Sequence, residues 1–205
     1  DVLLVPTNGQ APLTLLSQDG CHDAMHRFGD QIIGRHHSIL APPAPFIAPL
    51  HSPSDRTRLS LPNTEATSLD EHAQWQEFTV TAKDGAEIQS FVITPNTPGP
   101  HPVLFWVHGG PISHFADWWH WRWNPLVFAE QGYAVVMPNP RGSRGFGEPF
   151  IEGIWNNQWG DTCFDDLMRV ADALDENPAL DTQRMSAMGA SFGGYMMNWF
   201  GGQTD

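Results

Sequence analysis

Gly189-Ala190-Ser191-Phe192-Gly193 fits the pattern G-x-S-x-G. On a sharp turn between a strand and a helix, that pattern lifts a serine hydroxyl clear of the backbone, and the crowded flanking positions call for glycine. The chemistry such a serine performs is acyl transfer. Its oxygen attacks a carbonyl carbon, a base takes its proton, and backbone N–H groups receive the negative charge that develops on the substrate oxygen. The bland alternative is a glycine-rich turn that packs a helix on a strand. Context separates the two: residues 185–188 read as a short strand, residues 192–200 read as a helix, and Gly194 adds a further small residue. Ser191 is therefore the candidate nucleophile, with the backbone N–H of Phe192 as one candidate oxyanion donor.

A second donor is expected from His108-Gly109-Gly110-Pro111, which follows the apolar run Val103-Leu104-Phe105-Trp106-Val107. Small residues let a loop backbone approach the reacting carbonyl closely, and the N–H of Gly110 is the candidate. His108 itself is not read as the base, because in folds with this elbow the base follows the serine in the chain. Holding the loop by hydrogen bonding is the role expected of it.

These two turns need a scaffold, and the pattern from about residue 85 onward supplies one. Residues 87–93 read as a strand after the turn Lys83-Asp84-Gly85; the continuous run 103–107 reads as a strand covered on both faces. Asn124-Pro125 predicts a short helix with Asn as N-cap, ended by Gly132. Residues 134–137 predict another buried strand. A helix is predicted from about Asp161 to Glu176, with Phe164, Leu167, Met168, Ala171 and Leu174 on one face, stopped by Asn177-Pro178. Strands alternating with helices imply βαβ units and a parallel sheet, so the fold class of this half is α/β.

The first half reads differently. Short apolar runs at 2–5 and 13–16 are broken by the turn signals Pro6-Thr7-Asn8-Gly9 and Ser17-Gln18-Asp19-Gly20, which suggests a β-meander or propeller-like structure. Ala41-Pro42-Pro43-Ala44-Pro45 is not expected inside a helix or a central strand. Residues 62–77 read as linker. Some eighty residues of this kind make one or two propeller blades and not a closed ring.

Five segments in order resemble a known family: Val107-His108-Gly109-Gly110-Pro111, Gly132-Tyr133-Ala134-Val135-Val136, Asn139-Pro140-Arg141-Gly142-Ser143-Arg144-Gly145-Phe146-Gly147, Trp159-Gly160-Asp161 and Gly189 to Met196. Together they resemble the catalytic domain of the prolyl oligopeptidase family of serine peptidases, nearest its acylaminoacyl-peptidase and dipeptidyl-aminopeptidase branch. The resemblance covers about residues 80–205. It implies residues 1–80 as the end of a β-propeller with a linker, Ser38 to Ala48 lying in its final blade, and residues 81–205 as the N-terminal half of an α/β-hydrolase domain. It also implies hydrolysis of short peptides through an acyl-enzyme on Ser191, with a His as base, an Asp to orient it and no cofactor. Some relatives carry Tyr where His108 stands and use its hydroxyl as an oxyanion donor, which leaves open whether the His108 side chain donates.

Chain order in this fold is Ser, acid, His. No histidine follows Ser191, the last being His120, and the one acid after it is Asp205. The chain begins at Asp1 with no visible leader. The expectation is of a piece of a larger, cytoplasmic protein, almost inactive alone and prone to aggregate through the unpaired edge of a half sheet. An esterase sharing the elbow, or an interaction domain that lost its triad, are the alternatives.

Composition limits the partners. Ten Lys+Arg against 23 Asp+Glu give a formal charge of −13 in 205 residues, so nucleic acid is not an expected partner. No apolar run reaches the length of a membrane span. Cys21 and Cys163 make no disulfide framework, and Cys21-His22, His26 and His36-His37 lack a completing carboxylate or thiolate spacing, so no metal is expected. Arg141 is read as a brace between loops through fixed carboxylates, ahead of a substrate-carboxylate ligand. Trp118, Trp119, Trp121 and Trp123 are expected to pack, ahead of lining a pocket. Tyr195 and Trp199 read as a core stripe, and Asp165 and Asp166 as complements to the dipole of their helix.

Overall fold

The structure is a computed structural model and describes residues 2–4, 14–17, 19–59, 71–156 and 158–204. The expected turn at 6–9 and residues 62–70 of the expected linker lie outside the described residues. The chain divides into two compact units, residues 1–70 with 116–124, and residues 71–115 with 125–205.

In the first unit β1 (Val2–Leu4) pairs antiparallel with β2 (Thr14–Ser17). A separate four-stranded antiparallel sheet runs in chain order through β3 (Cys21–Phe28), β4 (Gln31–His37), β5 (Ala44–Pro49) and β6 (Thr57–Arg58). Strand β4 alternates between exposed and buried positions in the way of a half-covered strand, and Ile32, Phe46 and Ala48 form its small core. Pro45 corrects the expectation drawn from the proline cluster. It is the second residue of β5, an inner strand, opposite Arg35 of β4. The missing N–H is tolerated because it belongs to the side facing β6, which is only two residues long; on that side the Pro45 carbonyl still accepts from Leu59 N (2.8 Å).

The second unit is a five-stranded sheet of order β11-β9-β10-β8-β7, built from β7 (Ala73–Thr81), β8 (Glu87–Pro95), β9 (His101–Val107), β10 (Ala134–Pro138) and β11 (Leu180–Gly189). Strand β7 begins inside the stretch read as linker; its alternating exposed and half-buried residues are those of a solvated outer strand. The sheet is mixed and not parallel throughout. Strands β9, β10 and β11 are mutually parallel where they pair, whereas β8 is antiparallel to both β7 and β10. The reason is connection length: Lys83-Asp84-Gly85 closes a tight hairpin between β7 and β8, and a parallel pair needs a long crossover.

The helices are α1 (Leu126–Ala129), α2 (Glu148–Glu152), α3 (Asp161–Ala173), continued by a single 3₁₀ turn at Leu174–Glu176, and α4 (Phe192–Gln203). Pro125, not Asn124, caps α1. The buried apolar face of α3 centres on Cys163, Leu167 and Val170 and is extended by Leu174 of the 3₁₀ turn, with Phe164 and Ala171 at its margin. They pack with Val103, Phe105, Val107, Ala134, Val136, Phe192 and Met196 into one apolar core. Strand β10 is buried throughout, as its unbroken Ala-Val-Val-Met run requires. Among the described residues no helix is long and apolar enough to cross a membrane.

Candidate active site

Strand β11 ends at Gly189 and α4 begins at Phe192, so Ser191 occupies the turn between them and is the N-terminal cap of the helix. Its backbone has φ 57° and ψ −119°, a conformation a serine adopts only when its surroundings impose it. Two glycines do the imposing. A β-carbon on Gly193 would lie 2.2 Å from the carbonyl oxygen of Val107, and one on Gly189 would lie 2.5 Å from the Gly193 backbone. The turn is thus pressed between its own strand and the end of β9, and the side chain that emerges from it, Ser191, is exposed.

The same pressing brings the second loop alongside. A β-carbon on Gly109 would be 3.4 Å from the Ser191 β-carbon and 4.0 Å from its Oγ, so the loop after β9 runs against the serine with no side chain between. Phe192, as the first residue of α4, has an N–H without an intrahelical acceptor. Its ring is buried and stacks on Trp159 (6.0 Å between centroids) and Tyr195 (5.9 Å), which fixes that end of the helix. Tyr195 and Trp199 are half-buried against the core, as the four-residue spacing predicts.

His108 is buried at 6% exposure. Its Nδ1 lies 2.7 Å from the Gly109 carbonyl oxygen and its Nε2 2.9 Å from the Ser143 hydroxyl, and its ring packs edge-on against Phe115. Burial pushes its pKa down to about 4, so the ring is neutral at neutral pH. Both ring nitrogens are occupied, Nδ1 by the loop itself and Nε2 by Ser143 of the segment after β10.

Residues whose role the sequence reading missed hold that loop from the other side. Asn139, fully buried, accepts from Phe115 N (2.7 Å) and donates to the Phe115 carbonyl (3.0 Å), gripping both polar edges of one residue. Arg144 N donates to the Ser113 carbonyl (2.8 Å), and Ser143 Oγ bonds the Pro140 carbonyl (2.6 Å). The signal was present in Asn139-Pro140 and Ser143, polar residues directly after a buried strand, where a polar side chain has to find a partner.

Arg141 braces, as read. Its guanidinium spans Asp166 (2.6 to 3.1 Å) and Asp84, its own N–H bonds Asp166 (2.9 Å), and hydrogen bonding to Asp166 holds its pKa up. Asp166 corrects the dipole reading: it is fully buried and faces the loop as the anchor of Arg141. Cys163, whose thiol burial pushes up to about 12, donates to the Arg141 carbonyl (3.3 Å).

The tryptophan segment, residues 116–124, clusters with the first unit. There Asp117 accepts from the backbone N–H of Gly20 (3.1 Å) and Ile39 (2.8 Å), and Trp119 N donates to His37 Nδ1 (2.9 Å). Also in that unit Asp19 joins His22 and His36, the carboxylate that spacing did not reveal, with ligand-type atoms within 4.8 Å of one another. Arg56 sits on the same carboxylate (2.5 Å); burial raises Asp19, but the bonds from Arg56 and Ser17 outweigh it and hold it at about 2. A guanidinium in contact makes this an ion-pair network and a poor cradle for a cation.

The strand, elbow and helix over a partly parallel sheet place the second unit in the α/β class. Residues 119–205 match the model of the prolyl oligopeptidase family. Over 120 residues the chain is 46% identical to a probable dipeptidyl-peptidase 5 of Aspergillus terreus, covering 57% of this chain and 16% of that protein. A probable dipeptidyl-peptidase 5 of Trichophyton verrucosum is 43% identical over 126 residues, 58% of this chain and 17% of the relative. The fold is shared with the acylaminoacyl peptidase of Pyrococcus horikoshii (TM-score 0.77, 23% identity, 96% of this chain and 31% of that one). It is shared too with an acylaminoacyl peptidase in complex with Z-Gly-Gly-Phe-chloromethyl ketone (TM-score 0.76, 23% identity, again 96% and 31%). The resemblance to the prolyl oligopeptidase family is borne out. The chain spans about a sixth of the length of the curated relatives it matches.

Proposed function

We propose that the protein carrying this chain is a serine peptidase that cleaves short peptides through an acyl-enzyme on Ser191. The observation that carries the reading is the exposed Ser191 held at φ 57° on a glycine-clamped turn, with the Gly109 backbone drawn against it. Ser191 Oγ attacks the peptide carbonyl carbon, a histidine takes its proton, and the N–H groups of Phe192 and Gly110 receive the oxyanion. The histidine then protonates the departing amine, and water releases the acyl group by the same steps in reverse. His108 does not serve as that base, because its two ring nitrogens are engaged with Gly109 and Ser143. The base and its orienting acid come from residues outside these 205, in the order acid and then histidine, within roughly one hundred residues beyond Asp205. The 205 residues alone are therefore almost inactive.

Domain organisation follows the same reading. The end of a β-propeller lies within residues 1–70, ahead of the expected boundary at 80 because β7 joins the second unit's sheet, a view supported by the four-strand meander β3 to β6, and the propeller restricts access to short, unfolded chains. Strands and helices from β7 onward form the first part of the hydrolase domain. The dipeptidyl-peptidase names of the relatives and the peptide-like ligand of one structural neighbour support a peptide substrate.

The test is fluorophosphonate labelling and turnover of the full-length protein. Wild type labels at Ser191 and Ser191→Ala does not, with kcat lower by roughly 10⁴–10⁶-fold. Turnover of dipeptidyl arylamides ahead of N-acetyl-aminoacyl arylamides and p-nitrophenyl butyrate assigns the peptide class; preference for the ester assigns an esterase. A full-length protein that never labels overturns the enzyme reading.

A further inference from the structure

We propose that residues 118–123 form a strap that acid releases, latched by two neutral histidines whose Nδ1 atoms accept its backbone N–H groups. The proposal goes beyond the peptidase reading and does not rest on it. His37 Nδ1, at the end of β4, accepts from Trp119 N (2.9 Å). His120 Nδ1 accepts from Arg122 N (3.1 Å) and Trp123 N (2.9 Å), closing the segment on itself as an aspartate or asparagine closes a turn. His37 and the segment cluster together in the first unit. Asp117, which accepts from Gly20 N and Ile39 N, depends on neither histidine and is the fixed post of the strap.

The protons are assigned from the partners. A backbone N–H only donates, so each Nδ1 offers a lone pair and the single proton of each neutral ring belongs on Nε2. In His37 that proton faces Asp23 (3.9 Å from Nε2 to the carboxylate oxygen). Protonating Nδ1 turns an acceptor into a donor aimed at another donor. Three backbone bonds of one short segment therefore hang on two titratable atoms. The surroundings keep both rings neutral. Burial pushes His37 down and Arg35 adds to it, against the pull of Asp23 on β3 and of Asp117; burial and then Arg122 push His120 down. The His120 ring otherwise meets Trp118 edge-on (6.4 Å between centroids). Opening also returns a stranded donor to water, because Trp119 Nε1 is buried without an acceptor among the described residues. Trp121, edge-on against Trp119 (5.3 Å), is already 75% exposed.

The sign follows from proton binding. The latched strap takes up no proton at either Nδ1, whereas the open strap takes up one on each ring with the ordinary affinity near pH 6.5. Below that pH the open-to-latched ratio rises by up to about 10-fold per pH unit for each histidine, until the latched form itself protonates. Hydrogen–deuterium exchange of residues 116–124 in the full-length protein, corrected for the intrinsic pH dependence of amide exchange, reads the opening. Protection is expected to fall by roughly 10- to 100-fold from pH 7.5 to 5.5. Asparagine carries its Oδ1 as many bonds from the β-carbon as Nδ1 and accepts without titrating. His37→Asn and His120→Asn are each expected to reduce the fall to roughly its square root, about 3- to 10-fold, and the double variant to hold protection within about twofold. A wild type whose protection does not fall, or a double variant that falls as far as wild type, overturns the proposal. Unchanged protection of β9 and β10 shows that the variants are folded. Ring ¹⁵N shifts of the unmodified protein decide independently of the variants: both Nδ1 atoms are expected unprotonated at pH 7.5, and a protonated Nδ1 on either ring overturns the latch.

Discussion

A β-carbon on Gly193 has nowhere to go: 2.2 Å from a backbone oxygen is far inside contact distance, and Val107, which carries that oxygen, is fully buried. Gly193→Ala is therefore expected to unfold the turn, seen as a melting temperature lower by several degrees or as loss of soluble protein. Gly194 is the internal control. Its added β-carbon would meet only the Gly189 oxygen at 3.6 Å, an ordinary contact, so Gly194→Ala is expected to be neutral or to stabilise by about 0.4–1 kcal/mol through the unfolded chain. Burial of His108 gives a pH signature at the same scale. Its folded pKa, about 4, lies below the unfolded value near 6.5, so the unfolded state binds the proton first. The His108 contribution to stability is complete above pH 7, falls between about 6.5 and 4, and levels off below; the gap corresponds to up to about 3 kcal/mol. Chemical denaturation across that window is expected to show a shallower slope for His108→Asn. Part of the slope remains, because burial also pushes His22 down to about 4.

At the scale of elements, the segment after β10 works as a clamp with two jaws. Asn139, Ser143 and Arg144 take hold of residues 108–115, and Arg141 takes hold of α3 through Asp166 and of the β7–β8 hairpin through Asp84. The jaws differ in kind. The first is neutral hydrogen bonding to backbone; the second is a buried fork of charge. Removing one partner of a buried pair leaves the other uncompensated, so Arg141→Ala, which strands a fully buried Asp166, is expected to cost about 3–5 kcal/mol in equilibrium unfolding. In the first unit, Asp117 satisfies two backbone N–H groups with one carboxylate. Asp117→Ala is expected to destabilise by about 1–3 kcal/mol, and Asp117→Asn, which keeps one acceptor oxygen, by less.

Across the whole molecule, β11 ends the five-stranded sheet, and its residues 183–187 are exposed. An unpaired strand edge is a template for pairing with another chain. The 205-residue chain on its own is expected to self-associate with rising concentration in light scattering, more so as pH nears the sequence pI of about 5.0, where charge repulsion fades. Concentration-independent scattering would count against an open edge at β11. The elements that place Ser191 were legible in sequence because each carries a local signal: a fully apolar run for β9 and β10, a 3.6-residue period for α3, glycine on both sides of the serine. Strand β7 and the antiparallel position of β8 were not, because an exposed, polar strand has no hydrophobic pattern and because pairing partners are chosen across the sheet. Asp166 shows the limit most sharply. Two neighbouring acids near a helix start look alike in sequence, and only packing decides that one stays in water while the other is buried under Arg141. Residue types and their spacing determined which turn could bear a nucleophile; which polar groups hold that turn in place was decided by long-range burial, where each must find a partner that sequence order does not name.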